Sequence, residues 1–89
     1  PIFAVTYLYT APASQVNEIR PLHRQWLSGL LEKNILLASG PMVDTPEALL
    51  IFRSESAEEL SKLLDNDPFD VAGCIGSEPF KAGTRAGAI

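Results

Sequence analysis

The chain has 89 residues, of which 46% are hydrophobic and 20% charged, a balance typical of one folded domain with a modest core. Its formal net charge of −4 gives no basic stripe of the kind that binds nucleic-acid phosphates. No apolar stretch approaches the roughly 20 residues that cross a bilayer. We therefore expect neither a nucleic-acid partner nor a membrane-spanning segment.

The cysteine and histidine content bears on location and cofactors. Cys74 is the only cysteine and cannot form an internal disulfide, and the first residues lack the basic-then-apolar pattern of a secretory signal. These features predict a cytoplasmic protein. One histidine and one cysteine, far apart in sequence, are too few for a zinc site. We expect no metal and no organic cofactor.

The first half of the chain predicts a strand followed by a helix. Residues 2–9 are rich in β-branched and aromatic side chains, and the breaker cluster at 11–14 ends them. Pro21 is tolerated at the first position of a helix. Apolar residues then recur at helical spacing as far as Asn34; they are Leu22, Trp26, Leu27, Leu30 and Leu31. The pattern predicts a main helix over 21–34, with a short turn over 14–19 before it.

The second half predicts a hairpin, a helix and a last strand. Apolar runs at 35–39 and 48–53 flank a proline-bearing loop at 42–46, and Gly40-Pro41 stops the first run. Ser56 and Glu59 form a capping box that opens a helix ending near Asp65. Residues 71–75 then resume an apolar strand. The predicted element order is βαββαβ.

That order favours an α+β, ferredoxin-like sandwich, in which an antiparallel sheet carries both helices on one face. Both faces of the predicted strands are apolar, however, as Phe3 and Val5 alternate with Ile2 and Ala4. In so short a chain the available cover for the second face is another copy. We expect a homodimer, or a higher oligomer built from it, of the dimeric α+β barrel kind.

His23 falls in the middle of the apolar stripe of the main helix. At about 100° per residue, the stripe extends from Leu22 at zero to Leu31 near 180°, and His23 lies near 100°. Arg24 and Glu32 occupy the opposite arc and are expected to face water. An inward imidazole needs partners for its nitrogens, because leaving them unpaired costs on the order of a few kcal/mol. A carboxylate is the expected partner.

Topology indicates which carboxylate this is. In the split βαβ arrangement the first helix begins, and the second helix ends, at the end of the sheet where the first strand stops. His23 and the loop over 65–70 therefore meet. We favour Asp67 over Asp65 and Asp70, because Pro68 holds the preceding residue in an extended conformation outside the helix.

A His23/Asp67 pair suits general base chemistry. Asp67 would accept from one ring nitrogen and leave the other free to take a substrate proton. Arg20 lies where a guanidinium could stabilise an anionic oxygen beside His23. Gly40-Pro41 is expected at the same end of the sheet as a cleft wall. Trp26 is either a core residue or a wall on which an aromatic ligand stacks.

Simpler interpretations remain open for each of these residues. His23 could be a core histidine that joins helix to loop, and Arg20 a surface or dimer-interface arginine. Pro1 offers a separate alternative, since an N-terminal proline amine is the base of tautomerases, or it follows a removed initiator methionine. Pro1 lies at the other end of the first strand from His23.

Four short motifs, taken together, resemble the YciI-like family. They are Arg20-Pro21-Leu22-His23, Leu37-Ala38-Ser39-Gly40-Pro41, Asp67-Pro68-Phe69 and Glu78-Pro79-Phe80. The resemblance implies that residues 1–89 form a single YciI-like domain, a dimeric α+β barrel with a His-Asp dyad at His23 and Asp67. It also implies that Pro79 helps to set the dyad.

The resemblance further suggests a reaction. One studied type of YciI-like protein removes hydrogen chloride from a chlorinated hydroxyhydroquinone, with an arginine at the place of Arg20 helping to stabilise the oxyanion. The present sequence departs from that pattern at Ala11-Pro12-Ala13, which offers no acid to support the arginine.

The leading hypothesis is a cofactor-independent lyase or isomerase that acts on a small aromatic or enolic substrate, for example by dehydrochlorination of a chlorohydroxyhydroquinone-like compound. The alternative is a non-catalytic dimer that binds or senses a small ligand in the same cleft. Both hypotheses use His23 and Asp67.

Overall fold

The computed structural model describes residues 1–75 and 84–88. The elements, in chain order, are β1 (Ile2–Leu8), α1 (Ala13–Glu32), β2 (Leu36–Pro41), β3 (Glu47–Arg53), α2 (Ala57–Leu64), α3 (Pro68–Val71) and β4 (Thr84–Ala88). The four strands form one antiparallel sheet in the order β2-β3-β1-β4. This is an α+β fold with ferredoxin-like topology, as the sequence predicts. No helix in the described part of the chain is both long and apolar enough to cross a membrane.

The core lies between one face of the sheet and the helices. Val5 pairs with Leu50, and the neighbouring pairs along β1 and β3 present Phe3, Phe52, Tyr7 and Ala48 to the same face. All six are buried in one cluster with residues of the helices, including Leu30 of α1 and Leu60 of α2. The alternating residues point to the other face, since side chains alternate along a strand.

That other face, which we call the open sheet face, carries eight residues on β1 and β3: Ile2, Ala4, Thr6, Leu8, Glu47, Leu49, Ile51 and Arg53. Five of these eight side chains are apolar, and the two charged ones, Glu47 and Arg53, lie at the two ends of β3. Leu49 is 37% exposed and Leu8 is 39% exposed. The centre of the open sheet face is therefore mainly apolar and partly accessible, as expected from the two-sided pattern in the sequence.

The prediction that the main helix begins at Pro21 is wrong. Helix α1 begins at Ala13 and continues through Pro21 without interruption. Pro21 lacks the N–H that would bond the carbonyl of Asn17. The turns before it nevertheless pack on the core, with Val16 buried and Ile19 partly buried. This burial outweighs the lost hydrogen bond, and the predicted turn over 14–19 becomes helix.

The predicted hairpin is confirmed, with one difference at its edge. Strands β2 and β3 pair antiparallel around the loop at 42–46. Gly40 and Pro41, expected to stop the strand, are its last two residues. Strand β2 lies at the edge of the sheet, where a proline can sit without removing a hydrogen bond from a central ladder.

The predicted strand over 71–75 is also wrong. Asp67 caps a short helix, α3, which has Pro68 at its start. Gly73 then reverses the chain with a φ of +73°, and Ile75 makes only an isolated bridge with Tyr9. The apolar character of this segment reflects burial of Cys74 and Ile75 in a turn. The fourth strand is Thr84–Ala88, which pairs with β1.

Candidate functional site

His23 and Asp67 meet inside the protein, where β1 ends and α3 packs on α1. Nδ1 of His23 lies 2.7 Å from Oδ1 of Asp67. His23 is 6% exposed and Asp67 is 0% exposed. Because an ionised carboxylate only accepts hydrogen bonds, Nδ1 carries the proton of the contact. The inward orientation of His23 and its pairing with Asp67 are as predicted.

Asp67 is held by three donors. Its Oδ1 accepts the backbone N–H of Phe69 at 2.9 Å as well as the His23 ring. Its Oδ2 accepts a hydrogen bond from the hydroxyl of Tyr7. A carboxylate removed from water is costly unless such donors replace its hydration. Asp67 is thus fixed as the N-cap of α3, and Tyr7 of β1 donates to it from the sheet.

Tyr7 is a member of the site that the sequence reasoning missed. Burial raises the pKa of Tyr7 well above its ordinary value, and the neighbouring Asp67 charge raises it further. The phenol therefore remains a neutral donor. A signal was present in the sequence, since Tyr7 is an inward position near the end of β1, and a buried tyrosine hydroxyl usually finds a polar partner.

Aromatic rings fix the orientation of the imidazole. The ring of His23 stacks on Phe69, with centroids 4.1 Å apart and planes 27° apart. The rings of Tyr7 and Trp26 lie further out, each with its centroid 6.0 Å from that of His23. Within the described residues no hydrogen bond reaches Nε2 of His23. Nε2 is thus the ring nitrogen that the contact with Asp67 leaves unoccupied.

A cavity of about 220 Å³ opens beside His23. Helix α1 lines one side and the β2-β3 hairpin the other; the lining residues are Tyr9, Arg20, His23, Arg24, Leu27, Ser39, Gly40, Pro41, Ala48 and Leu50. The structure thus brings four residues predicted for the site, His23, Arg20, Gly40 and Pro41, around one space. Gly40 and Pro41 line this cavity across from α1.

Other predicted site residues lie elsewhere. Trp26 is half-buried against the core and does not line the cavity. Pro79 lies outside the described residues. Pro1 is at the opposite end of the sheet, where its carbonyl accepts the N–H of Ser54 at 3.1 Å. A wider depression of about 580 Å³ at that end includes Lys33 and Arg53, but neither a histidine nor a buried carboxylate lines it.

Arg20 and Arg24 form the charged rim of the cavity. The guanidinium carbon of Arg20 lies 5.8 Å from the centroid of the Tyr9 ring and 5.9 Å from that of Phe69. Arg24 is exposed, as predicted from its water-facing arc, yet it also lines the cavity. The sequence reasoning did not predict that Arg24 lines the cavity. A helical wheel gives an indication of it, because Arg24 lies about 100° from His23 and one turn after Arg20.

Among residues 1–75 and 84–88, no group of three His, Cys, Asp or Glu side chains is arranged to hold a metal ion. The buried Cys74 lies beside the site, with its N–H bonded to the carbonyl of Phe69 at 2.8 Å. Burial raises the pKa of its thiol, which favours the unreactive protonated form. Among the described residues, the cavity offers the imidazole of His23, two arginines and the hydroxyl groups of Tyr9 and Ser39, with the carboxylate of Asp67 behind the imidazole.

Comparison with known proteins gives a family and a fold. The model of the YCII-related domain family matches residues 2–81. A solved structure of 5-chloro-2-hydroxyhydroquinone dehydrochlorinase from Burkholderia phenoliruptrix, in complex with 2,5-dihydroxybenzoquinone, is similar with a TM-score of 0.77. The two chains are 22% identical, and the match covers 100% of this chain and 93% of that one. No curated protein sequence matches the chain.

Proposed function

Because the chain belongs to the YCII-related domain family, we propose that it is a lyase or isomerase that moves a proton on a small aromatic or enolic substrate. The observation that carries this proposal is the buried contact of 2.7 Å between His23 and Asp67 at the wall of an open cavity. A pair that served only to join helix to loop would not need a cavity beside its remaining nitrogen.

The proposed roles follow from the hydrogen bonds. Asp67 holds the Nδ1–H tautomer of His23, so that Nε2 presents a lone pair to the cavity. Nε2 accepts a proton from a substrate hydroxyl or carbon acid, and Asp67 stabilises the imidazolium that forms. Arg20, beside the same cavity, stabilises the oxyanion that develops on the substrate. Gly40 and Pro41 form the facing wall.

Dehydrochlorination is the reaction we test first. The similar solved structure is named as a dehydrochlorinase of 5-chloro-2-hydroxyhydroquinone. Loss of hydrogen chloride from such a ring releases one proton and one chloride ion and leaves a quinone, so the reaction requires a base but no external oxidant. The His23/Asp67 pair would supply that base.

We also propose that the working form is a homodimer joined through the open sheet face. The apolar side chains of that face, with Leu8 and Leu49 more than a third exposed, would be buried by a second copy.

We propose a cytoplasmic location as well, because the free thiol of Cys74 is typical of a reducing compartment.

The experiment is chloride release from 5-chloro-2-hydroxyhydroquinone by the wild type and by His23→Gln. Removing a general base is expected to lower kcat by at least about 100-fold, while the dissociation constant of the substrate changes little. The matched control is Gln25→Ala on the exposed side of the same helix, which is expected to keep full turnover.

The two candidate classes give different results. An enzyme loses rate in His23→Gln and keeps affinity. Saturable binding without turnover in the wild type, together with lost affinity in His23→Gln, would contradict the enzyme and favour the binding or sensing dimer. Circular dichroism of both variants checks that the fold is intact.

A further inference from the structure

Two arginine side chains line the same small cavity. Arg20 and Arg24 are four residues apart on α1, one turn, and His23 lies between them in sequence. Four residues of helix rise about 6 Å, a spacing that places the two charges along one side of the cavity. The chain as a whole has the opposite balance, with 7 Lys and Arg residues against 11 Asp and Glu.

Among the residues that the structure describes, no aspartate or glutamate lines the cavity beside this pair. Asp67 lies beneath His23, and its two oxygens already accept from His23, Tyr7 and Phe69. Two arginines line the cavity against the single carboxylate of Asp67 behind His23, so the cavity keeps a net positive potential that an anionic ligand would neutralise.

Apart from Tyr9, the remaining lining residues are apolar or small. Leu27 of α1 and Leu50 of β3 face the cavity, with Ala48 and Pro41 beside them. Its volume of about 220 Å³ suits a small molecule of one ring. Arginine pairs with carboxylates through two parallel hydrogen bonds. The cavity thus combines these apolar walls, which we call the slot, with the base His23 and with the charged rim of Arg20 and Arg24, which can bind a carboxylate.

We infer that Arg24 binds a carboxylate on the substrate, so that the substrate class is a small planar acid with an ionised carboxyl group in addition to the hydroxyl or enol that reacts at His23. The part of this inference that concerns the reacting hydroxyl or enol rests on the proposed function. Binding of the carboxylate by Arg24 does not require turnover and can be measured without it. The hydroxyhydroquinone named for the similar structure has no carboxyl group, so it can react at His23 without the contact to Arg24 and is expected to bind more weakly than a carboxylated analogue.

The test is equilibrium binding, by titration calorimetry, of three probes: benzoate, its neutral analogue benzamide, and acetate, which has the charge without the ring. Benzoate is expected to bind about tenfold more tightly than either of the others, because only benzoate uses both the slot and the charged rim. In Arg24→Gln the affinity for benzoate is expected to fall about fivefold, a modest loss because the side chain is exposed. The affinity for benzamide is expected not to change.

The matched control is Arg53→Gln, which removes the same charge at the opposite end of the sheet and is expected to leave benzoate binding unchanged. Equal affinity for benzoate and benzamide, equal affinity for benzoate and acetate, or no binding of benzoate would each overturn the inference. So would an equal loss in Arg24→Gln and Arg53→Gln.

The His23→Gln variant separates this inference from the proposed function. Benzoate is expected to bind this variant with the preference over benzamide preserved, even though turnover is lost. A wild type that discriminates between the probes but never turns over a substrate would contradict the proposed enzyme and leave the carboxylate site standing.

Discussion

At the scale of single residues, the carboxyl group of Asp67 connects the fold with the candidate site. The same group caps α3, accepts from Tyr7 of the sheet and holds His23 of α1. Three separate parts of the chain therefore depend on one side chain that is fully buried. Loss of its charge should affect stability as well as function.

We expect Asp67→Asn to lower the free energy of unfolding by about 2–3 kcal/mol, because an amide replaces an accepting oxygen with a donor among buried donors. Urea unfolding followed by circular dichroism measures the change. Asp44→Asn is the control, since Asp44 is exposed in the hairpin loop with a φ of +68° that asparagine tolerates. Comparable losses in both variants would contradict the role assigned to Asp67.

Tyr7 gives the protein a sensitivity to alkaline pH. Burial, and then the Asp67 charge, raise its pKa in the folded state above the ordinary value of 10.0. The folded state thus retains a proton that the unfolded chain loses, and the stabilisation is complete below pH 10 and is lost as the pH rises above it. We expect the free energy of unfolding of the wild type to decline from about pH 10 upward.

Comparison with Tyr7→Phe isolates this contribution. The decline should be shallower in the variant, and what remains comes from other groups such as Tyr9, whose pKa is also raised by burial. Urea unfolding at a series of pH values measures both slopes. Identical slopes in the two proteins would show that Tyr7 titrates normally in the folded state.

His23 and Asp67 could be predicted from sequence, whereas the sequence signals for Tyr7 and Arg24 were too weak to place either residue in the site. The helical spacing places His23 among leucines, and Pro68 singles out the acid before it. Which phenol lies beneath that acid depends on how β1 packs under α3. Which exposed arginine faces a cavity depends on how close the hairpin lies to α1.

At the scale of elements, helix α1 carries a proline in its interior. We expect Pro21→Ala to raise the free energy of unfolding by about 1–2 kcal/mol, because the new N–H can bond the carbonyl of Asn17 and the clash of the ring is removed. The gain is smaller than the full cost of an interior proline, since alanine leaves the unfolded chain more flexible. Urea unfolding measures it.

Pro12→Ala serves as the matched control. Pro12 precedes the helix with a φ of −57°, so its replacement restores no interior hydrogen bond and should not stabilise the protein. A loss of stability in Pro21→Ala would contradict the interpretation, and would indicate that the proline ring itself contributes to packing beside Arg20 and His23.

The cap of α2 and the hairpin were predictable because their signals are local. Ser56 accepts the N–H of Glu59 at 3.1 Å, as its capping-box pattern predicts. The fourth strand was missed because the segment Thr84–Ala88 has small side chains and two polar residues. Its strand conformation comes from pairing with β1, a contact between distant parts of the chain.

At the scale of the whole molecule, the open sheet face is the feature on which oligomerisation is proposed to depend. We expect Leu49→Glu to convert a dimer into a monomer, because the new charges would be buried without partners between two sheets. Sedimentation velocity at micromolar concentration measures the assembly state. A wild type that sediments as a monomer would contradict the proposed dimer.

The control for this prediction is Leu31→Glu. Leu31 is 53% exposed on α1, in the layer away from the open sheet face, and its replacement should leave the assembly state unchanged. Circular dichroism of both variants distinguishes dissociation from unfolding.

The amino-acid sequence by itself determined the α+β class, the hairpin, the inward histidine and its acidic partner, because periodicity, capping and proline rules act within a few residues. Only the tertiary structure decided that α1 continues through Pro21, that residues 71–75 form a turn, and that Tyr7 and Arg24 join the site. Those outcomes depend on burial and on pairing between segments far apart in the chain, where a local preference yields to the larger free energy of packing.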